Sequence, residues 1–373
     1  MFQRTQKWLP ALLLTWGMGV ICSSVQAEPA EPQMVSAAAH KPIEVKVVVV
    51  TMFEIGKDSG DQAGEFQLWH ERQHLNERFK FAHHHDLFFN PKTGVLGMVT
   101  GMGTANSASA VMELGMDPRF DLSHAYWLVA GIAGFDPAKA SIGSAAWAEY
   151  LVDGDLAYEI DAREIPKGWS TGYFARGTKK PYDPNRPAPT GEMFQLDPKL
   201  TDWAYELTRN VKLDDSPVLQ KRRSLYTNYP NARKPPFVLK GDNLAAMTFW
   251  HGKLLNEWAE RWVKYWTNGK GNFVSSAMED TGTYQSLSYL SETGKVDKNR
   301  VMVLRTASNY TMPPPGVTAV DDLLQDHEGY AGLDASVEAA YRVGSKVVDT
   351  LVDHWDIYRD HTPAQMAGAD KAE

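Results

Sequence analysis

Apolar residues along this chain gather in short, dense runs, and each run ends in small or polar residues. Val45-Lys46-Val47-Val48-Val49-Val50-Thr51-Met52 opens the series. So many β-branched residues in succession predict a strand buried on both faces, the signature of a parallel sheet. Further strands are predicted at Val95–Thr100, Tyr126–Ala130, Ile142–Val152 and Arg300–Thr306, with a short one beginning at Phe273-Val274. Asn90-Pro91-Lys92-Thr93-Gly94 reads as a hairpin turn between strands. Helical spacing emerges between the strands. Phe66, Trp69 and Leu75 mark one helix over residues 64–78, and another is expected over Leu200–Val211. Trp258, Trp262 and Trp266 recur every four residues beside Leu254 and Leu255, a stripe read as core packing. Val337, Tyr341, Val348, Leu351 and Trp355 mark the buried face of a long final helix. Residues 163–240 follow neither pattern and read as an insertion covering or decorating the core.

The strand exits hold the candidate chemistry, because open α/β sheets bind ligands beyond the carboxyl ends of their strands. Met278-Glu279-Asp280 follows the strand begun at Phe273, and Met52-Phe53-Glu54 follows the first strand. A carboxylate is an acceptor only, suited to two neighbouring hydroxyls of a sugar. Taken alone, Glu279 and Asp280 are equally well placed as acids at a helix start, where the dipole favours them. Thr100-Gly101-Met102-Gly103-Thr104 turns from a strand into a small-residue helix start, a geometry suited to an anion or polar group. Trp250-His251-Gly252, before the tryptophan stripe, is a candidate ligand contact. His83-His84-His85-Asp86 does not suit a metal, since adjacent side chains diverge, and reads as polar residues entering an edge strand.

Composition adds an address. Arg4 and Lys7 precede an apolar run from Leu9 to Cys22, and Val25-Gln26-Ala27 forms a small-residue cleavage site. Residues 1–27 therefore read as a signal peptide and 28–42 as a flexible leader, placing the mature chain in the periplasm. Lipidation at Cys22 is disfavoured by the bulky Ile21 before it. Cys22 is the single cysteine, so cleavage after Ala27 leaves no disulfide, thiol nucleophile or cysteine metal site. The net charge of −8 and the absence of a basic block argue against a general nucleic-acid binder. No later segment is apolar for long enough to span a bilayer.

As a set, Val47–Glu54, Thr100–Ala108, Ala130–Pro137, Ala277–Gly282 and Leu304–Asn309 resemble the purine nucleoside permease family, an exported branch of the nucleoside phosphorylase/nucleosidase superfamily. The resemblance implies an α/β fold: a three-layer αβα sandwich around a mixed, partly barrel-like sheet. That core domain would span residues 43–360, contain the 163–240 insertion and leave a tail at 361–373. It also implies roles. Met278 and Glu279 match the Met-Glu that grips the ribose 2′- and 3′-hydroxyls. Asn309, preceded by Ser308, matches the position that contacts the purine near N7, and Trp250 joins them as a purine contact. Glu54 lies close to the position of a water-activating glutamate. Thr100, Gly101, Gly103 and Thr104 match a loop beside a phosphate or water site. No cofactor is implied, and inorganic phosphate stays open as a co-substrate.

Two departures bear on the reaction. The loop Gly101–Ala108 contains no arginine to hold phosphate, and Arg72, Arg78 and Arg305 are the candidates to reach the site from elsewhere, although nothing in the sequence places them there. Asn309 stands where many adenine-acting members have Asp, and an amide supports the leaving base by hydrogen bonding without protonating it. Hydrolysis of a purine nucleoside, with a lean towards 6-oxopurines, is the expected activity. A non-catalytic nucleoside-binding component working with a separate membrane transporter is the alternative. A homo-oligomer is left open.

Overall fold

The computed structural model describes residues 41–327 and 331–369. The expected signal peptide, and the leader up to residue 40, lie outside the described residues. Eight strands frame the site: β1 (Val47–Thr51), β2 (Val95–Val99), β3 (Tyr126–Phe135), β4 (Ala145–Ala148), β5 (Tyr150–Asp153), β6 (Asp242–Ala245), β7 (Phe273–Ala277) and β8 (Val301–Tyr310). Six helices matter to the argument: α1 (Gln67–Arg72), α2 (Thr104–Met116), α3 (Pro198–Thr208), α4 (Lys253–Trp266), α5 (Asp280–Glu292) and α6 (Leu333–Asp353).

The strands belong to one mixed twelve-stranded sheet. β1 runs parallel to β2 and β3, and β8 runs parallel to β3, as the dense apolar runs predict. Alternation along β1 divides the core into two layers. Val48 and Val50 pack with Ala110 and Leu114 of α2 and Leu287 and Leu290 of α5. Val47 and Val49 share the opposite layer with Trp69 of α1, Leu200 of α3 and Val343, Val347 and Leu351 of α6. The result is a three-layer αβα arrangement. β3 is long enough to take three partners: β1, β8 and, over its last residues, the antiparallel β7. The sheet therefore curls around the second half of β3. The tryptophan stripe of α4 is buried against Leu244 and Phe273 at the ends of β6 and β7.

Several boundaries differ from the sequence reading. The helix expected over 64–78 stops at Arg72, and Glu77–Phe79 pairs antiparallel with Leu87–Phe89 instead. The polar segment 83–86 is loop rather than strand: His83 has φ of 63°, and Asp86 accepts from Arg78 (2.6 Å) and Lys80 (2.9 Å). The expected strand Ile142–Val152 is two. Asp242 accepts the backbone N–H groups of Glu149 (3.2 Å) and Tyr150 (2.8 Å), so the ladder changes partners there, β4 pairing with β8 and β5 with β6. The insertion is also more than decoration, since Met193–Gln195 pairs with β5 and α3 contributes Leu200 and Ala204 to the core. Residues Pro363–Ala369 of the expected tail form a helix, and its Ala364 is buried in that same layer.

Candidate functional site

β1, β3, β7 and β8 converge on a cavity of about 230 Å³. Its lining includes Met52 and Phe53 after β1, Ile132–Gly134 of β3, Ser276–Glu279 at the end of β7, and Arg305, Ser308 and Asn309 of β8. The apolar majority of this surface shields a small set of polar groups, the usual construction of a small-molecule site. Met102 and Phe249 also line it and are 61% and 43% exposed, which marks the side where it meets solvent.

At one end lies a buried charge cluster. Glu279 accepts from the Gly103 N–H through Oε1 (2.9 Å) and from Arg305 Nη2 through Oε2 (3.0 Å). Arg305, 1% exposed, also donates from Nε to Asp280 Oδ1 (3.1 Å) and from Nη1 to the Ile132 carbonyl (3.1 Å). Glu65 completes the group. Its two oxygens accept the N–H of Met52 (2.7 Å) and of Ile132 (2.7 Å), fastening the exit of β1 to the middle of β3. Two carboxylates thus pair with one guanidinium out of water, and Glu65 adds a third acid within reach of its charge. Burial pushes Glu65 up to about 8, with the charge of Glu279 adding to it and Arg305 and the two N–H groups opposing it. Burial also raises Asp280. Burial alone would discharge Arg305, but Asp280, Glu279 and Glu65 outweigh it and hold the guanidinium protonated. Gly131 makes the crowding feasible: a Cβ there would stand 1.9 Å from Met52 Cε, 2.6 Å from Arg305 Nη1 and 2.8 Å from Glu65 Oε1.

At the other end, β8 carries a bulge between Ala307 and Asn309. Consecutive strand residues normally point to opposite faces, and the extra residue is what lets both Ser308 and Asn309 line the cavity. Ser308 Oγ donates to Asn309 Oδ1 (2.9 Å), and Asn309 Nδ2 donates to the Tyr310 carbonyl (3.2 Å), which orients the amide and leaves its second N–H uncommitted.

Of the residues singled out from sequence, the structure brings Met278, Glu279, Ser308 and Asn309 together. Glu54 is elsewhere. Its carboxylate accepts the N–H groups of Ile55, Gly64, Phe66 and Gln67 at 2.5 to 2.9 Å, tying down the loop before α1, and it is not part of the lining. Glu54→Gln is expected to cost about 1–3 kcal/mol by leaving backbone donors unpaired, a Tm lower by roughly 2–10 °C, with ligand affinity unchanged. Thermal melts beside calorimetry check this, and an affinity loss at unchanged Tm would return Glu54 to the site. The loop at Thr100–Thr104 acts on the glutamate: besides the Gly103 contact, Thr104 Oγ1 donates to the Met278 carbonyl (2.9 Å). Thr100 donates within the loop, to the Gly101 carbonyl (2.9 Å). Trp250 borders a small extension of the cavity while its neighbour Phe249 lines the main chamber. Arg72 pairs with Glu338 and Arg78 with Asp86, outside the cavity.

Glu65 and the pairing of Arg305 were not assigned from sequence. A guanidinium inside the apolar run Val301–Thr306 is itself a signal, since a charge in a fully buried strand needs partners. Glu65 gives no comparable sign, as it reads as an ordinary acid before a helix.

A family model for purine nucleoside permease (NUP) matches residues 44–363. A purine nucleoside permease of Candida albicans is 30% identical over 335 residues, covering 87% of this chain and 80% of the relative. A second, from Candida albicans strain SC5314, is 30% identical over 319 residues, covering 83% and 76%. Among solved structures, futalosine hydrolase of Helicobacter pylori aligns with a TM-score of 0.50 at 13% identity, covering 82% of this chain and 98% of that one. The 5′-methylthioadenosine/S-adenosylhomocysteine nucleosidase of Helicobacter pylori also gives 0.50 at 13% identity, with 83% and 99% covered. At such identity the likeness is one of fold, a mixed α/β architecture shared with nucleosidases.

Proposed function

Because the chain belongs to the purine nucleoside permease family, we propose that its cavity takes a purine nucleoside and that the protein hydrolyses the N-glycosidic bond. The observation that carries this reading is the buried pairing of Glu279 with Arg305, with Glu65 beside it on the Ile132 N–H, at one end of a cavity whose other end presents Asn309. Glu279, held by Gly103, Met278 and Arg305, keeps a lone pair on Oε1 for the ribose hydroxyls. Glu65 acts as the base. It takes one proton from a water whose oxygen bonds to C1′ as the C1′–N9 bond breaks and its electron pair leaves with the purine. Asn309 donates to N7 of the departing base, and the proton taken up is returned to it. An acidic cluster beside the ribose stabilises the positive charge that develops there.

The same cluster disfavours phosphorolysis. Arg305 is the one cationic side chain among the described residues of the lining, and Nε, Nη1 and Nη2 all have protein acceptors. Phosphate would meet two glutamates with no arginine free to hold it. Incubation with inosine is expected to release hypoxanthine at the same rate with and without phosphate. Release only with phosphate would overturn hydrolysis, and no release in either tube would overturn cleavage.

The second reading is binding without cleavage, in service of uptake by a separate membrane transporter. It is supported by the amide at Asn309, which cannot protonate the base, and by the name the fungal relatives carry. Among the described residues, no helix is long and apolar enough to cross a membrane. A periplasmic site of action belongs to both readings and rests on reading residues 1–27 as a signal peptide.

A further inference from the structure

Four ionisable groups meet where β7 passes into α5: Glu65, Glu279, Asp280 and Arg305 are 3%, 4%, 0% and 1% exposed. One cation and three acids sealed from water cannot all carry charge without a heavy desolvation penalty, so the cluster keeps a proton on one of its acids. The acids differ in their hold on the guanidinium. Asp280 lies side-on to it, Oδ1 accepting from Nε (3.1 Å) and Oδ2 standing 3.0 Å from Nη2. It is also the first residue of α5, where the helix dipole favours an anion. Glu279 Oε2 takes the same Nη2 (3.0 Å). Glu65 makes no hydrogen bond to Arg305 among the described residues. The two are joined through Ile132, whose N–H donates to Glu65 Oε1 (2.7 Å) and whose carbonyl accepts from Arg305 Nη1 (3.1 Å). They are close all the same: Glu65 Oε1 and Arg305 Nη1 lie 2.8 and 2.6 Å from one point, the place a Cβ on Gly131 would take. Burial raises both Asp280 and Glu65, and these contacts decide between them. The proton rests on Glu65.

How firmly Glu65 keeps that proton depends on how much guanidinium charge its neighbours leave over. Positive charge beside a carboxyl favours the anion, and Asp280 and Glu279 offset the charge that Arg305 presents to Glu65. We infer that Asp280 is a positioning residue for the base: its side-on pairing holds Arg305 on the α5 side of the cluster and withholds from Glu65 the charge that would release its proton. Asp280 needs no contact with the nucleoside for this, and it is not part of the cavity lining. The inference rests on the reading of Glu65 as the base and deepens it to the control of that base.

Asp280→Asn keeps the shape and an acceptor for Nε while removing the charge. Thermal melts on the whole protein from pH 5 to 8.5 compare wild type with Glu65→Gln, and Asp280→Asn with the double variant. The stability gap in the first pair should narrow up to about pH 8, where Glu65 ionises. In the Asp280→Asn pair it should stop narrowing about one pH unit lower. The pH at which inosine cleavage levels off should move down by the same amount. A merely structural Asp280 would lower Tm and leave both pH values in place. That outcome, or an upward shift, overturns the inference. Should Asp280→Asn not fold, carbon-13 NMR of the wild-type carboxyls decides. Asp280 is expected to stay ionised from pH 5 to 8.5 while Glu65 titrates near 8, and a protonated Asp280 at pH 7 overturns it. The melts judge Asp280 without turnover. No cleavage by wild type, with the melts shifted as expected, would uphold the part played by Asp280 and overturn the hydrolytic reading alone.

Discussion

Replacing Glu279 with glutamine is expected to weaken nucleoside binding by roughly a hundredfold or more. The carboxylate is 4% exposed and already oriented by the Gly103 and Met278 N–H groups and Arg305 Nη2, so the sugar hydroxyls would meet a preformed, charged acceptor. Charge-assisted hydrogen bonds of this kind are about twice as strong as neutral ones, and the substitution removes the charge behind them. Glutamine also places an amide NH₂ against one of the donors that Glu279 satisfies, so the side chain either turns or leaves a donor unpaired. The fold should tolerate the change, because Arg305 keeps Asp280, with Nη2 3.0 Å from Oδ2, and its bond to Ile132. A Tm lower by only a few degrees, with calorimetric affinity for inosine lost, is the expected pair of results. Retention of affinity within a few-fold would remove the ribose clamp. The variant also takes away one of the charges that raise Glu65, so the pH midpoint of any residual cleavage should move down.

What could be read from sequence was whatever depends on runs of residues. The four valines of β1 announced a strand buried on both faces, and its alternate residues do enter separate layers. The stripe of Trp258, Trp262 and Trp266 announced a buried helix face. The ends of elements were less legible, because tertiary partners decide them. Asp242 splits the run at Glu149, and the bulge at Ser308 carries β8 on to Tyr310. The same limit governs the candidate site. Met278, Glu279, Ser308 and Asn309 fall at strand ends that topology brings together. Glu54 and Glu65 both lie near the exit of β1, and local sequence cannot tell which carboxylate a loop will turn inward. Backbone donors decide it: four at the loop before α1 capture Glu54, and Met52 and Ile132 hold Glu65 at the cavity. A loop of polar residues separates the two acids, and its path is set by what it packs on.

Glu65→Gln is the sharper test of chemistry, since it should separate binding from cleavage. Glutamine keeps the shape beside Met52 and Ile132 but cannot take a proton from water. A cleavage rate lower by roughly 10²- to 10⁴-fold, at an inosine affinity within a few-fold of wild type, is the expected result. In wild type the rate should climb with pH and level off near pH 8, where burial places the ionisation of Glu65. The same group makes a thermodynamic prediction that does not depend on turnover. Unfolded, this carboxyl ionises near 4.5; folded, it keeps its proton up to about 8. Between those values the unfolded chain has released a proton that the folded protein retains. Rising pH therefore favours unfolding across that window, by an amount on the order of a few kcal/mol, and the effect ends above it. At pH 5 the wild type should exceed Glu65→Gln in stability, because glutamine leaves a backbone donor facing its amide. That advantage should shrink steadily as pH approaches 8. Paired thermal melts from pH 5 to 8.5 measure the difference directly. A gap that stays constant would mean that Glu65 ionises normally in the folded protein, and its role as the base poised near neutral pH would fall even if cleavage is observed.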